Sequence, residues 1–313
     1  MKTHEILYQT LAQAQDYVNG EQLAQEMGLS RTSIWKAIQR LEKEGIEIES
    51  VKNRGYKILS GDLLIPQVIE DLCPLTVSYN PQCQSTQLDA KNAMEVGGQS
   101  ATLYLAPFQT AGKGRFGRDY FCPSQGGIYM SLHLKPNLPF DQAPAYTLMV
   151  AAAIYKALKN LTLLDVDIKW VNDIYYKGKK VGGILTEAIS SIETGLITDV
   201  IIGIGLNFAI TNFPTELKDK AGSLFDSQPP ISRNELIAEI WKEFFTTSEE
   251  ELIYLYKQRS LVLGKEVLFE QNQTSYQGLA KDISDSGQLL VQLTDGQERW
   301  LNSGEISLKQ WDL

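Results

Sequence analysis

Seven residues of an otherwise acidic chain, GKGRFGR, concentrate positive charge: Lys113, Arg115 and Arg118 are interleaved with Gly112, Gly114 and Gly117, against a net charge of -9 overall. Glycine lets backbone amides come close to an anion, and Lys and Arg supply permanent charge. The pattern suits a loop that grips a carboxylate or a phosphate. A second stretch, KWVNDIYYKGKKVGGILTE, runs from Lys169 to Glu187. It reads as a strand ending in Asn172-Asp173, a hairpin tip at YKGKK and a returning strand that starts near Lys180. A lysine just inside a strand is a directed point charge, suited to a phosphoryl oxygen whose charge grows during reaction. Asn172 and Asp173 either hold a turn or orient a ligand, and Asp173 is the candidate magnesium contact. Lys177 and Lys179 read as a solvated hairpin tip.

The elements that must position these residues are legible around them. From about residue 75 to 255, strand-like runs (TLYLAPFQ, GGIYMSLHLKP, VDIKWVND, KVGGILTEAI, VIIGIGLNFA) alternate with the helical patterns APAYTLMVAAAIYKALKN and SRNELIAEIWKEFFTTSEEELIYLYKQ. This implies an α/β fold with a mixed sheet. GIGLN fails the G-x-G-x-x-G fingerprint and no G-x-x-x-x-G-K-[ST] is present, so neither a Rossmann site nor a P-loop is expected.

Residues 1–60 read as a separate unit. GEQLAQEMGLSRTSIWKAIQRLEKEG gives two helices around a turn, with Gly28 as the C-terminal stop and Ser30 as the N-cap of the second. Ile34, Ala37, Ile38 and Leu41 fall on one face. IEIESVKNRGYKIL adds a hairpin turning at Asn53-Arg54-Gly55. The outline is a winged helix-turn-helix. Residues 1–29 carry one Lys against four acidic side chains, while residues 30–57 carry seven Lys or Arg against four Glu. Positive charge thus gathers on the second helix and the wing, where phosphates would be met. Ser30, Arg31, Thr32, Ser33, Lys36, Arg40 and Arg54 are the candidate DNA contacts.

Composition excludes other classes. With 313 residues, 43% hydrophobic and 21% charged, the chain can bury large cores. No apolar run is long enough for a bilayer helix and the first residues lack a signal-peptide core, so a cytoplasmic protein is expected. The three cysteines have no metal-ligand spacing, and His133 in YMSLHLKP reads as a structural strand residue. The last segment, from GKEVLFEQ to GEISL, shows short alternating runs broken at Ser286-Gly287 and Asp295-Gly296, the pattern of a small SH3-like β-barrel. Trp300 is expected in a core.

GKGRFGR and KWVNDIYYKGKKVGGIL resemble the paired signatures of the biotin protein ligases, roughly GRGRxGR and KWPNDxxxxxxKxxGIL. Ser85-Thr86-Gln87 resembles that family's STN element, GIGLN at 203–207 its GxGxN strand, and GEISL at 304–308 its C-terminal domain. With the N-terminal unit, the resemblance spans nearly the whole chain and is to the bifunctional ligase–repressors. It implies a winged helix-turn-helix over 1–60, a linker and short helix over 61–74, a mixed-sheet catalytic domain of class II synthetase-like type over 75–259, and an SH3-like domain over 260–313.

The resemblance also implies chemistry. Biotin and ATP, with Mg2+, would give biotinyl-5′-AMP, and biotin would pass to a lysine of a carboxylase's biotin carboxyl carrier domain. Lys180, Arg115 and Arg118 match catalytic positions. Ser85, Thr86, Gln87, Gln109, Lys113, Gly114, Arg115 and Lys180 match biotin-binding positions; Gln87 replaces the usual Asn and Lys113 an Arg. Gly112, Lys113, Arg118, Asn172 and Asn207 match adenylate positions, and Phe116 and Tyr120 are expected to pack over the ligand. A homodimer promoted by the adenylate would bind operator DNA as a repressor. The alternatives are a lipoate-type ligase, a ligand-sensing transcription factor without catalysis, and a ligase whose DNA domain no longer reads an operator.

Overall fold

Residues 1–271, 273–302 and 306–308 are described by a computed structural model. Helices α1 (Thr3–Gln13), α2 (Gly20–Glu26) and α3 (Arg31–Lys43) precede strands β1 (Glu47–Val51) and β2 (Gly55–Ser60). Gly28 takes the left-handed conformation that ends α2, at φ 64°. Ser30 caps α3, its Oγ accepting from Ser33 N at 3.1 Å. Ile34, Ala37, Ile38 and Leu41 then line up on one face and bury against Leu7, Leu11 and Leu23. β1 and β2 form the antiparallel wing, turned through Asn53 at φ 67°. Gly55 is obligatory there, because a Cβ would lie 2.0 Å from Val18 O.

The segment after the wing is not a free linker. Leu63 and Ile65 insert into the N-terminal core and Leu64 into the central one, the alternation of an extended chain. Helix α4 (Pro66–Leu72) follows. Asn234 brackets the segment, Nδ2 donating to Leu63 O at 2.7 Å and Oδ1 accepting from Ile65 N at 2.8 Å. Arg233 is buried beside it. Its backbone N donates to Asp62 Oδ2 at 2.6 Å, Nε to the same oxygen at 3.2 Å, Nη2 to Asp62 O, and Nη1 to Gly127 O at 3.0 Å. One guanidinium therefore ties the end of the wing to the central sheet.

That sheet contains β3 (Thr76–Tyr79), β4 (Thr102–Ala106), β5 (Gly127–Leu134), β6 (Leu138–Pro139), β7 (Asp167–Lys169), β8 (Asp173–Tyr176), β9 (Lys179–Ser190) and β10 (Leu196–Asn207), with α5 (Thr86–Glu95) between β3 and β4. The order is β3-β4-β5-β10-β9-β8-β7, with β6 on β10. Only β3 and β4 pair in parallel, so the sheet is mixed. One face packs on α6 (Tyr146–Thr162), α7 (Arg233–Thr246) and α8 (Glu249–Gln258). Residues 232–258 thus make two helices: Thr247 is extended, and Ser248 starts α8 by accepting from Glu251 N at 3.3 Å. Glu249–Glu251 in the first turn favour that start electrostatically.

The remaining strands are β11 (Glu266–Gln271), β12 (Thr274–Ile283), β13 (Leu289–Leu293), β14 (Glu298–Leu301) and β15 (Ile306–Leu308), in the order β14-β13-β12-β11-β15, all antiparallel. Trp170 Nε1 donates to Gly287 O at 2.9 Å and fastens this unit to the central one. Trp300 is not core. It is 47% exposed, because alternation on β14 sends Leu301 inward and its neighbour out. Gly304 and Glu305 of GEISL lie outside the described residues. His133 is buried, with Nε2 2.7 Å from Asp199 Oδ1.

Arg233→Ala would leave Asp62 Oδ2 with only the backbone N of residue 233 and the Gly127 carbonyl without its guanidinium donor, and is expected to lower stability by about 3 kcal/mol. Arg233→Lys should recover less than half of that, since it lacks the planar fork. Urea unfolding of the full chain measures both, and a loss below about 1 kcal/mol for the alanine variant would contradict the structural role given to the guanidinium.

Candidate active site

The N-terminus of α5, the GKGRFGR loop, and the middles of β5, β9 and β10 enclose a cavity of about 330 Å³. Its floor is flat because β10 carries glycine where side chains from other elements lie on the sheet. A Cβ on Gly205 would sit 2.5 Å from the Tyr120 ring, and one on Gly203 2.5 Å from Gln87 Oε1. The Tyr120 hydroxyl donates to Gly205 O at 2.9 Å, and desolvation pushes its phenol well above the ordinary range. Tyr120 therefore lies beneath the cavity rather than over it.

Ser85, Thr86, Gln87 and Gln109 all line this floor, together with Ser131 of β5. Thr86 N donates to Gln109 Oε1 at 2.7 Å, which orients that amide. Gln109 Nε2 in turn points at Cys122 Sγ, 3.2 Å away. Burial pushes the Cys122 thiol up to about 11, so it is no nucleophile near neutral pH.

The loop closes on itself. Gly114 N donates to Arg118 O at 2.8 Å and Tyr120 N to Gly112 O at 3.0 Å. Lys113 pairs with exposed Asp119, holding that carboxyl below its ordinary range through the hydrogen bond it donates. At the tip Phe116 has φ 58° and is 69% exposed, with the Arg115 guanidinium 5.0 Å from its ring centre. Arg115 Nη1 also reaches Asn172 Oδ1 at 3.4 Å. Lys113, Gly114, Arg115 and Arg118 line the cavity. Gly112 does not; a Cβ there would strike Cys122 Sγ at 2.6 Å, so its smallness serves packing.

Across the cavity, Lys180 Nζ lies 2.6 Å from Asp173 Oδ1. The Lys180 backbone is held on both sides, its N donating to Lys220 O at 2.9 Å and its O accepting from Gly222 N at 3.0 Å. Asn172 joins β9 through Nδ2 to Ile184 O at 2.8 Å. Asn207 is buried away from the cavity, Nδ2 donating to Gly222 O at 2.9 Å, so it steadies the segment that clamps Lys180. Among the described residues no three His, Cys, Asp or Glu side chains converge as metal ligands.

On the N-terminal unit, Thr32 and Lys36 are exposed on α3. Three of the basic DNA candidates already have acidic partners: Arg31 with Glu21 at 2.6 Å, Arg40 with Glu44, and Arg54 with Asp16 at 3.1 Å. Ser30 and Ser33 are occupied by the cap, their hydroxyls 2.9 Å apart. Sequence reasoning missed Trp35, 54% exposed on the same helix face as Thr32 and Lys36. It also missed Ser131, whose signal was a single hydroxyl inside the apolar run GIYMSLHL.

The pattern of the Biotin/lipoate A/B protein ligase family matches residues 81–207, that of an HTH domain residues 3–57, and that of the Biotin protein ligase C terminal domain residues 262–309. The chain is 32% identical over 309 residues to the Bifunctional ligase/repressor BirA of Bacillus subtilis, covering 94% of each. It is 27% identical over 319 residues to the protein of that name from Escherichia coli, again covering 94% of each. Among solved structures, the biotin protein ligase from Aquifex aeolicus in complex with biotin and ATP superposes with a TM-score of 0.61 at 27% identity, over 75% of this chain and 98% of that one.

Iodoacetamide should alkylate Cys122 in the folded protein at pH 8 at least about a hundredfold more slowly than in the unfolded chain, because so little thiolate is present. The rate should climb as pH approaches about 11. Mass spectrometry of the Cys122 peptide reads this, and fast labelling at pH 8 would refute the raised thiol pKa of this half-buried residue.

Proposed function

We infer function from the premise that this chain belongs to the biotin protein ligase family, among its bifunctional ligase/repressors. It is an ATP-dependent biotin ligase and a repressor. Biotin's carboxylate attacks the α-phosphorus of ATP, the bond to the β-phosphate oxygen breaks, and pyrophosphate leaves biotinyl-5′-AMP. An acceptor lysine amine, having lost its proton, then attacks the acyl carbon; an amide forms and AMP departs. The acceptor is the biotin carboxyl carrier domain of a carboxylase, and the protein would work in the cytoplasm. No helix among the described residues is long and apolar enough to cross a membrane.

One observation carries this reading: Lys180, with its backbone clamped on both sides, faces the same cavity as the Arg115 and Arg118 loop. The first step brings two anions together, and cations fixed on opposite walls offset their repulsion. Lys180 would act on the α-phosphate, with Asp173 holding Nζ in place until phosphate replaces it. Arg115 would orient the biotin carboxylate, braced by Asn172, and Arg118 would contact the nucleotide. Ser85, Thr86, Gln87 and Gln109 would hold the neutral ring. Lys113 and Gly114 would close on the adenylate, while Gly112 and Asn207 would act through their neighbours. A pure ligand sensor has no need of a lysine so positioned.

Magnesium fits only in a limited way. Asp173 offers one carboxylate already engaged by Lys180, so an ion here would be carried by the phosphates, with Asp173 as at most one protein ligand. Bound there it would neutralise phosphate charge.

The repressor acts as a homodimer on a two-fold operator, with α3 in the major groove and the wing on the backbone. Thr32 and Lys36 meet the DNA directly, whereas Arg31, Arg40 and Arg54 exchange a carboxylate for a phosphate. Adenylate-driven ordering of the 112–120 loop would favour the dimer.

Biotin should drive exchange of labelled pyrophosphate into ATP and lipoate should not, and Lys180→Ala should slow exchange by on the order of a hundredfold or more. Absence of exchange with wild type would leave a sensor that binds DNA. In sedimentation, biotinyl-5′-AMP should raise the dimer fraction, and an unchanged distribution would remove the coupling between ligand and assembly.

A further inference from the structure

The polarity of the pocket floor is set from outside the pocket. Gln87 Nε2 faces acceptors alone: Glu187 Oε2 at 2.8 Å, Ile201 O at 3.3 Å and Leu185 O at 3.5 Å. Oε1 therefore faces Ser131, whose Oγ is 3.0 Å away. An amide oxygen carries no proton, so the Ser131 hydroxyl must donate. Thr86 Oγ1 lies 2.8 Å from Ser131 Oγ and 3.2 Å from Gln109 Oε1; with the Ser131 proton committed to Gln87, both neighbours are acceptors and the Thr86 proton goes to one of them. Both hydroxyl protons are then spent within the protein. Ser131 and Thr86 turn only lone pairs to the cavity.

Glu187 does not itself line the cavity. Lys91, one helical turn beyond Gln87 on α5, holds its carboxylate at 2.9 Å. The side chains of Lys91 and Glu187 are 39% and 36% exposed, a setting in which an ion pair adds little to folding. The other contact of that carboxylate is the Gln87 amide, and Gly203 is the residue that leaves room for Gln87 to lie there.

Granted the biotin-ligase reading of this cavity, we propose that Glu187 is a positioning residue for ligand selection. Held by Lys91, it fixes the Gln87 amide so that Ser131 and Thr86 serve as acceptors, and the floor selects a ring that bears N–H donors. The ureido ring of biotin supplies them. A dithiolane has none, and a ring with oxygen in place of each N–H sets lone pair against lone pair. A site that pairs a ligand N–H discriminates far more sharply than an apolar one, because a missing donor strands its own acceptors.

The test is calorimetric binding to the full chain of biotin and of its cyclic-carbonate analogue, in which oxygen replaces both ureido N–H groups. Wild type should prefer biotin by at least about a hundredfold. Glu187→Leu should narrow that ratio by about tenfold, since the Gln87 amide can turn and Ser131 can donate to the ligand. Glu187→Gln keeps an oxygen for Gln87 Nε2 and should retain the wild-type ratio. Lys91→Met, which frees the carboxylate to swing away, should narrow the ratio in the same direction if Glu187→Leu folds poorly. General damage would weaken both ligands alike and leave the ratio unmoved, so an unchanged ratio in the leucine and methionine variants overturns the role of Glu187. Equal binding of both ligands by wild type overturns the acceptor floor. Wild type that binds no biotin overturns the biotin-ligase reading itself, and this role with it.

Discussion

Lys180 is a point charge on a four-carbon stem, and such a stem gives direction only when its root is fixed. Here the root is fixed by backbone alone. Lys220 O and Gly222 N hold it from the loop that follows β10, and Tyr175 on β8 lies opposite. Asn207, at the end of β10, holds Gly222 by its carbonyl and so steadies the clamp from behind. The rest of the site takes its reference from this arrangement. Asp173 meets the ammonium, Asn172 links Asp173's strand to Arg115, and Arg115 belongs to the loop that forms the facing wall. Charge on one wall is thereby registered against charge on the other before any ligand enters, which is what a reaction between two anions requires.

Short-range signals made much of this legible in the sequence. Gly28 ends α2 and Ser30 starts α3 because a left-handed stop and a cap act within one turn, and Asn53-Arg54-Gly55 turns the wing for the same reason. The loop residues and Lys180 could be picked out because charge and glycine recur at fixed spacing. What escaped depends on distant contacts or on alternation in a short strand. Glu187 meets Gln87 across 100 residues, and nothing local to ILTEAI marks it. Asn207 ends a strand whose glycines face the cavity, yet its own amide turns to a loop carbonyl. Trp300 looked like core by type, but one step of alternation on β14 put Leu301 inside instead. The cap at Ser248 that divides residues 232–258 was a local signal, hidden within a helix-like apolar period on both sides.

The N-terminal unit shows a different economy of charge. Its arginines sit where DNA would be met, but Glu21, Glu44 and Asp16 already satisfy Arg31, Arg40 and Arg54. Binding a phosphate there is an exchange of partners, so the gain per contact is smaller than for an unpaired cation. An acidic chain with a modestly basic reading face is consistent with recognition that needs two copies of the face at once, each adding to the effective concentration of the other.

Leu63, Leu64 and Ile65 have one further consequence. Three successive apolar residues are divided between two cores, with no polar spacer in which a boundary could be cut. The DNA-reading unit and the ligase unit therefore share structural elements as well as a chain. Melting either one strips apolar surface from the other, which makes a single cooperative transition the natural behaviour of the pair. Separating them by truncation leaves an exposed greasy end on whichever fragment keeps this segment, and an unfilled hole in the one that loses it. In evolutionary terms, loss or exchange of the reading head would demand compensating substitutions inside the catalytic core.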